Sequence, residues 1–170
     1  MAEVLSGARQ ARAQKMMGLA QEQALRSSCW RSHCGAVIAD ASGRLIGAGA
    51  NNPPRDCPLA ACRKDDLPAD FCSDRTCCSH AEQRAVYDAL ARHPKVLVGA
   101  TIYFLRLDAA GLPQYAGDPY CTICSKMVLD VGVATFVLWQ ETGFVAYGTD
   151  EYNELSFSYP EDSASGKVPS

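Results

Sequence analysis

The run CCSHAEQRAV at residues 77–86 sets His80 and Glu82 two positions apart where a helical pattern begins, and CTICSKMVLD sets Cys121 and Cys124 three apart at the head of another. Residues three apart share a helix face, so the two thiols point the same way. One imidazole and two thiolates make three N/S ligands, the number a catalytic zinc takes from protein while keeping a fourth position for water. Helix N-termini carry the positive end of the helix dipole, which favours thiolates, and such a metal lowers the pKa of its water to about 7. Glu82 sits close to His80 without being needed as a ligand. It supplies a base for the water proton and an acid for a substrate ring and a leaving amine. The set therefore suits hydrolytic attack on an amidine-like ring carbon with release of ammonia. A CxxC pair also occurs as a redox couple, and a single histidine on an amphipathic helix is often a core or cap residue. The pairing of His80 and Glu82 with a downstream CxxC favours the metal, because a structural zinc needs no neighbouring carboxylate.

The elements that must position these residues are read from periodicity. Met16, Met17, Leu19, Ala20, Ala24 and Leu25 predict an amphipathic helix over 8–26. GAVIAD, the turn ASG and RLIGAGAN predict a β-hairpin. AEQRAVYDALAR predicts a helix ending before Pro94, followed by a strand at ATIYFLRL, a helix at CTICSKMVLDVG and a buried strand at VATFVLW. This order implies an α/β fold, a central sheet with helices packed on its faces. Between hairpin and helix lies a Pro-, Asp- and Cys-rich loop, 52–79, without either period and long for a compact domain. One domain is expected over 1–158, with a frayed polar tail at 159–170.

The chain has 170 residues, 48% hydrophobic and 21% charged, enough for one substantial core. Its net charge is −3 and its pI about 5.6, which speaks against a broad electrostatic grip on nucleic acid. Over residues 1–31, five basic residues (Arg9, Arg12, Lys15, Arg26, Arg31) against Glu3 and Glu22 leave room for a local basic face near the N-terminus. No stretch reaches the roughly 18 apolar residues of a membrane span, and the opening MAEVLSGARQARAQ lacks the apolar core of a secretory signal. A cytoplasmic protein without a membrane partner is expected. Nine cysteines, an odd and clustered set, favour metal binding over disulfides in a reducing compartment.

HAE at 80–82 and PYCTIC at 119–124 resemble the cytidine and deoxycytidylate deaminase superfamily, whose signature is H-x-E with P-C-x-x-C. GAVIADASGRLIGAGAN is similar to the family's first hairpin, and the resemblance runs over about residues 8–140. It implies a three-layer α/β/α sandwich with a central mixed sheet, zinc on His80, Cys121 and Cys124, Glu82 as proton shuttle, and a homo-oligomer. It further implies substrate contacts from Asn51 and Ala81. By itself, Asn51 also reads as a turn residue after a strand. Tyr120 departs from the pattern by standing between Pro119 and Cys121, where it either covers the substrate base or fills a core gap.

SSCWRSHCGA around Cys29, together with the inserted cysteine loop, resembles the deoxycytidylate branch, some members of which hold a second, structural zinc. The resemblance implies Cys29, Cys57, Cys62 and Cys72 as its ligands, with Cys77 or Cys78 as alternatives. Such a site would offset the entropy lost on ordering the loop. The branch also implies a mononucleotide substrate such as dCMP, with Arg55 as first candidate for its phosphate. Other readings are a deaminase of nucleosides, free bases or other amino-heterocycles including purines, an RNA or single-stranded DNA editing enzyme, and a zinc module without catalysis. Glu82 counts against the last and the acidic pI against editing.

Overall fold

A computed structural model describes residues 1–57, 59–68 and 77–158, so the expected tail and Cys72 lie outside the described residues. In chain order the elements are β1 (Glu3–Val4), α1 (Gly7–Ala24), β2 (His33–Ala39), β3 (Leu45–Ala50), α2 (Ala81–Arg92), β4 (Thr101–Leu107), β5 (Pro113–Gln114), α3 (Thr122–Asp130), β6 (Thr135–Gln140), β7 (Gly143–Gly148) and α4 (Thr149–Phe157). Short 3-10 turns at Pro54–Asp56 and Arg63–Asp66 punctuate the cysteine-rich loop.

The strands form one sheet in the order β1-β7-β6-β4-β2-β3, with β5 paired to the end of β4. Among the described residues only β4 and β6 pair in parallel, Thr101 facing Thr135, and the connection between them carries α3. The β2–β3 and β6–β7 pairs are antiparallel hairpins, so the sheet is mixed. Its alternation sorts side chains between two cores. Ile102 of β4 faces one side with Ile38, Ile46, Phe136 and Leu138, under α2, α3 and α4. Tyr103, Leu105 and Leu107 face the other, under α1. The result is the expected three-layer sandwich. Each fully buried side chain of this size contributes about 1.5–3 kcal/mol.

On α1, Ala13, Met16, Met17, Ala20 and Ala24 recur at helical spacing and are buried, whereas Leu25 follows the last turn and is exposed. Close approach of the helices depends on glycines in the hairpin. A Cβ on Gly35 would lie 1.9 Å from the Ala20 carbonyl oxygen of α1. On β3, a Cβ on Gly47 would lie 2.4 Å from the Ala85 oxygen, and one on Gly49 2.6 Å from the Ala81 oxygen. The GAGA stretch of β3 is thus a flat seat that brings the backbone of α2, and with it His80 and Glu82, down onto the sheet.

The expected helix at 81–92 is found with those bounds, and the remaining expected elements end within a few residues of their predicted limits. The segment after β6 differs: VAYGTDEYNELSF, to which no element had been assigned, closes β7 and forms α4. Among the described residues, no helix is long and apolar enough to cross a membrane.

Candidate metal centre

Two helix starts meet at the site. His80 occupies the N-cap of α2, where its backbone N–H donates to Gln83 Oε1 at 2.9 Å, and Ala81, Ala85, Val86 and Ala89 bury the helix face on the sheet. Cys121 occupies the N-cap of α3, its Sγ accepting from the Cys124 N–H at 3.4 Å. Both N-termini direct positive dipole ends at the thiols.

The geometry brings together all three expected ligands. His80 Nδ1 lies 3.2 Å from Cys124 Sγ and 3.3 Å from Cys121 Sγ, and the three ligand atoms all fall within 4.8 Å of one another. Zinc–sulfur and zinc–nitrogen bonds of about 2.3 and 2.0–2.1 Å separate tetrahedral N and S ligands by about 3.5 Å. The site needs to open by only a few tenths of an ångström to take the ion. The N/S/S donor set is the soft, tetrahedral-forming kind that suits zinc.

Proton sharing among these groups follows from their contacts. The hydrogen bond from Cys124, ahead of the one from His80, holds Cys121 down at about 4, a thiolate. Its bond to Cys121 in turn raises His80 to about 9 against the cost of burial. Cys124, which shares its proton with Cys121 and is buried, is pushed well up. Glu82 is 5% exposed, and burial raises its carboxyl above the usual carboxylate range while the His80 charge pulls the other way. Glu82 also contacts the Cys124 side chain. Cys34, held near 12 first by burial and next by the Glu82 charge, places β2 beside that carboxyl.

Ala81 is fully buried against β3, so any substrate contact from it is through its backbone. Tyr120, at the turn into α3, is about half exposed (48%). Asn51 is buried and its amide is engaged: Oδ1 accepts from Cys34 N–H at 2.8 Å and from Ser27 Oγ at 2.7 Å, and Nδ2 donates to the Ser32 carbonyl at 2.8 Å. Arg55 is exposed, with a left-handed φ of 60°. It lines a groove of about 1060 Å³ beside β3 with Arg26, Asn52, Arg84 and Tyr87. The lining includes Ser79 but none of His80, Glu82, Cys121 and Cys124.

Among the described residues no cysteine forms a disulfide. Cys77 Sγ lies 3.8 Å from Cys62 Sγ, and the Cys78 thiol is close enough to Cys29 and Cys77 for each to act on its proton. Among the described residues, the group of three or more ligand atoms that come close together is that of His80, Cys121 and Cys124. Cys57 is exposed. Sequence reasoning missed Tyr152 of α4, which is 4% exposed and lies within reach of the charges of Glu82, Cys124 and Cys121. Its signal was weak but present: Asp150 and Glu151 in a first turn, then Tyr152, Leu155 and Ser156 at helical spacing.

Comparison with known proteins agrees with this geometry. The family described as "Cytidine and deoxycytidylate deaminase zinc-binding region" matches residues 10–140. No curated protein matches the chain in sequence. Among solved structures, a dCMP deaminase from cyanophage S-TIM5 in apo form superposes with a TM-score of 0.51 at 21% identity, over 73% of this chain and 79% of that one. The same enzyme in complex with dCMP and dUMP gives 0.50 at 21% identity, over 72% and 76%. A cytidine deaminase from Burkholderia pseudomallei gives 0.53 at 16% identity, over 82% and 94%. At these identities the structures speak for the fold, and the family match spans the hairpin, both helix starts and all three convergent ligands. The chain belongs to the cytidine and deoxycytidylate deaminase zinc-binding family.

Proposed function

We propose that the protein is a zinc-dependent hydrolytic deaminase that converts a cytosine-type base to uracil, acting on dCMP or a related pyrimidine nucleotide. The observation that carries this is the buried Glu82 carboxyl beside the convergent His80, Cys121 and Cys124. Zinc bound by those three residues would acidify a water and supply its oxygen as nucleophile. Glu82 takes one proton from that water and delivers it to ring N3. It then passes the second to the amino group, which leaves as ammonia as the C4–N bond breaks and the C4 carbonyl forms. Burial, which keeps the Glu82 carboxyl above its usual pKa, suits a group that must both accept and donate near neutral pH.

Asn51 Nδ2 donates to the Ser32 carbonyl at 2.8 Å and more weakly to Ser32 Oγ at 3.5 Å, the longer contact being the one a sugar hydroxyl would replace; Ala81 offers backbone, and Tyr120 stands at the half-exposed turn before Cys121. The phosphate contact proposed for Arg55 requires the substrate to extend past Ser79 into the neighbouring groove. The dCMP reading is supported by the cysteine-rich loop and by the fold shared with an enzyme crystallised with dCMP and dUMP. A cytoplasmic homo-oligomer, with one domain over 1–158, belongs to the same reading. A second, structural zinc is proposed on Cys29, Cys57, Cys62 and Cys72, with Cys77 or Cys78 able to replace one of them. The contact of Cys77 with Cys62, and the closeness of Cys78 to Cys29 and Cys77, support a place for Cys77 or Cys78 in that set.

The test is ammonia release by zinc-replete protein over dCMP, CMP, deoxycytidine, cytidine, cytosine, adenosine, guanine and a short single-stranded oligonucleotide. Preference for dCMP is expected. Turnover only of nucleosides or free bases would replace the nucleotide reading, and no ammonia from any of them would overturn it.

A further inference from the structure

The peptide that leads into the ligand Cys121 begins at Tyr120, and unlike a proline at that position Tyr120 carries an N–H that must find an acceptor. The phenol oxygen of Tyr152 stands close enough to the Tyr120 backbone to accept from it. Tyr152 comes from α4, so the contact joins the last helix of the fold to the start of α3.

The ring of Tyr152 has little freedom. It stacks on Phe136 of β6, centroids 3.9 Å apart and planes at 13°, and meets Tyr147 of β7 edge-on at 5.9 Å and 85°. The residue is 4% exposed. One residue on, Asn153 Oδ1 accepts from Ser125 Oγ of α3 at 2.8 Å, and that hydroxyl also donates to the Thr122 carbonyl at 3.2 Å. Thus α3 is attached to α4 at two levels, by Ser125 inside the helix and by Tyr152 at the peptide before its N-cap. Burial, then the negative charge of Glu82, Cys124 and Cys121, pushes the phenol well above its usual pKa, so its hydroxyl stays protonated.

We infer that Tyr152 is a positioning residue of the metal centre: clamped between Phe136 and Tyr147, its hydroxyl fixes the Tyr120 peptide and so places Cys121 Sγ for the ion. Groups that orient metal ligands at one remove are typically worth 10–100-fold in metal affinity. The inference rests on metal ligation by His80, Cys121 and Cys124, and not on the choice of substrate, so metal retention is the readout.

The experiment uses the full chain loaded with cobalt(II), whose thiolate-to-metal absorption reports the bound ion. The band lost in His80→Ala belongs to this centre. Competition with a chelator is then followed at that band for wild type, Tyr152→Phe and Tyr147→Phe. Tyr147 is the control because its hydroxyl donates to Gln140 Oε1 at 3.1 Å, away from Cys121. Tyr152→Phe keeps the ring stack and loses only the hydroxyl, and its metal affinity is expected to fall about tenfold. Tyr147→Phe is expected to match wild type. Equal affinity of Tyr152→Phe and wild type would overturn the assignment, as would equal losses in both variants, which would mark a general loss of stability. A substrate other than dCMP would leave this readout unchanged.

Discussion

Asp88, on α2, accepts a 2.9 Å hydrogen bond from the backbone N–H of Ala48 on the edge strand β3. The same carboxylate pairs with Arg92 one turn further along. This contact occupies an edge amide and ties α2 to the strand whose glycines seat it. Gly49→Ala would place a Cβ 2.5 Å from Ala85 N, 2.6 Å from Ala81 O and 2.6 Å from Arg84 Cβ, two of them backbone atoms that cannot rotate away. The helix must lift, carrying His80 and Glu82. We expect a loss of stability of roughly 1–3 kcal/mol in urea unfolding, with turnover falling further than the unfolded fraction explains. Wild-type turnover in a stable Gly49→Ala variant would show that the seat does not set the site.

Asn51 holds the segment before β2 through three groups: Ser27 Oγ, Cys34 N–H and the Ser32 carbonyl. Asn51→Ala leaves them without these partners in a buried setting, a cost of about 1–3 kcal/mol. A lowered urea midpoint with unchanged slope is the expected result. If stability is unaffected and only KM rises, the side chain serves the substrate rather than the fold.

Glu82→Gln keeps the size of the side chain and removes its ability to take a proton. Turnover should fall by roughly 10²–10⁴-fold, while zinc content measured by atomic absorption stays at the wild-type value. Substantial turnover in this variant would remove Glu82 from the proton path.

The β2–β3 turn gives a pH dependence away from the metal. Hydrogen bonds from Ser42 first, then from the Arg44 backbone, hold Asp40 at about 2, below its usual 3.8. Because the folded state favours the ionised form, the stabilisation is complete above about pH 4 and is lost as pH falls through 2. The melting temperature of Asp40→Asn should therefore lie below wild type at pH 6, with the two curves converging toward pH 2. A gap independent of pH would mean that the charge of Asp40 contributes nothing.

For the second metal, Cys78→Ser should lower the zinc count from two toward one, because Cys78 lies close to Cys29 and Cys77. Cys57→Ser should lower it as well, and an unchanged count there would remove Cys57 from the ligand set. An unchanged count in Cys78→Ser would remove Cys78 as an alternative ligand.

Much of the metal centre was legible because it is local. His80 and Glu82 share one helix start, Cys121 and Cys124 another, and a spacing of two or three residues on a helix fixes relative direction without any knowledge of the fold. The helix at 81–92 was equally plain, since its alanines and Val86 recur at one period and Pro94 stops it. The second thiol cluster was less legible. Its members come from the segment before β2 and from both ends of a loop with no period, and spacing alone does not say which thiols meet.

By itself the sequence determined the chemistry available: which side chains can bind a soft metal, which carboxyl stands beside them, and the order of helices and strands that carries them. Only the tertiary structure decided what is long-range. It turned Asn51 inward onto Cys34, set Arg55 in a groove whose lining excludes the ligands, and brought Tyr152 from the last helix to the peptide before Cys121. The physical reason is that local spacing is read by backbone geometry, whereas contacts between distant segments depend on how flat faces such as Gly47 and Gly49 allow helices to settle on the sheet.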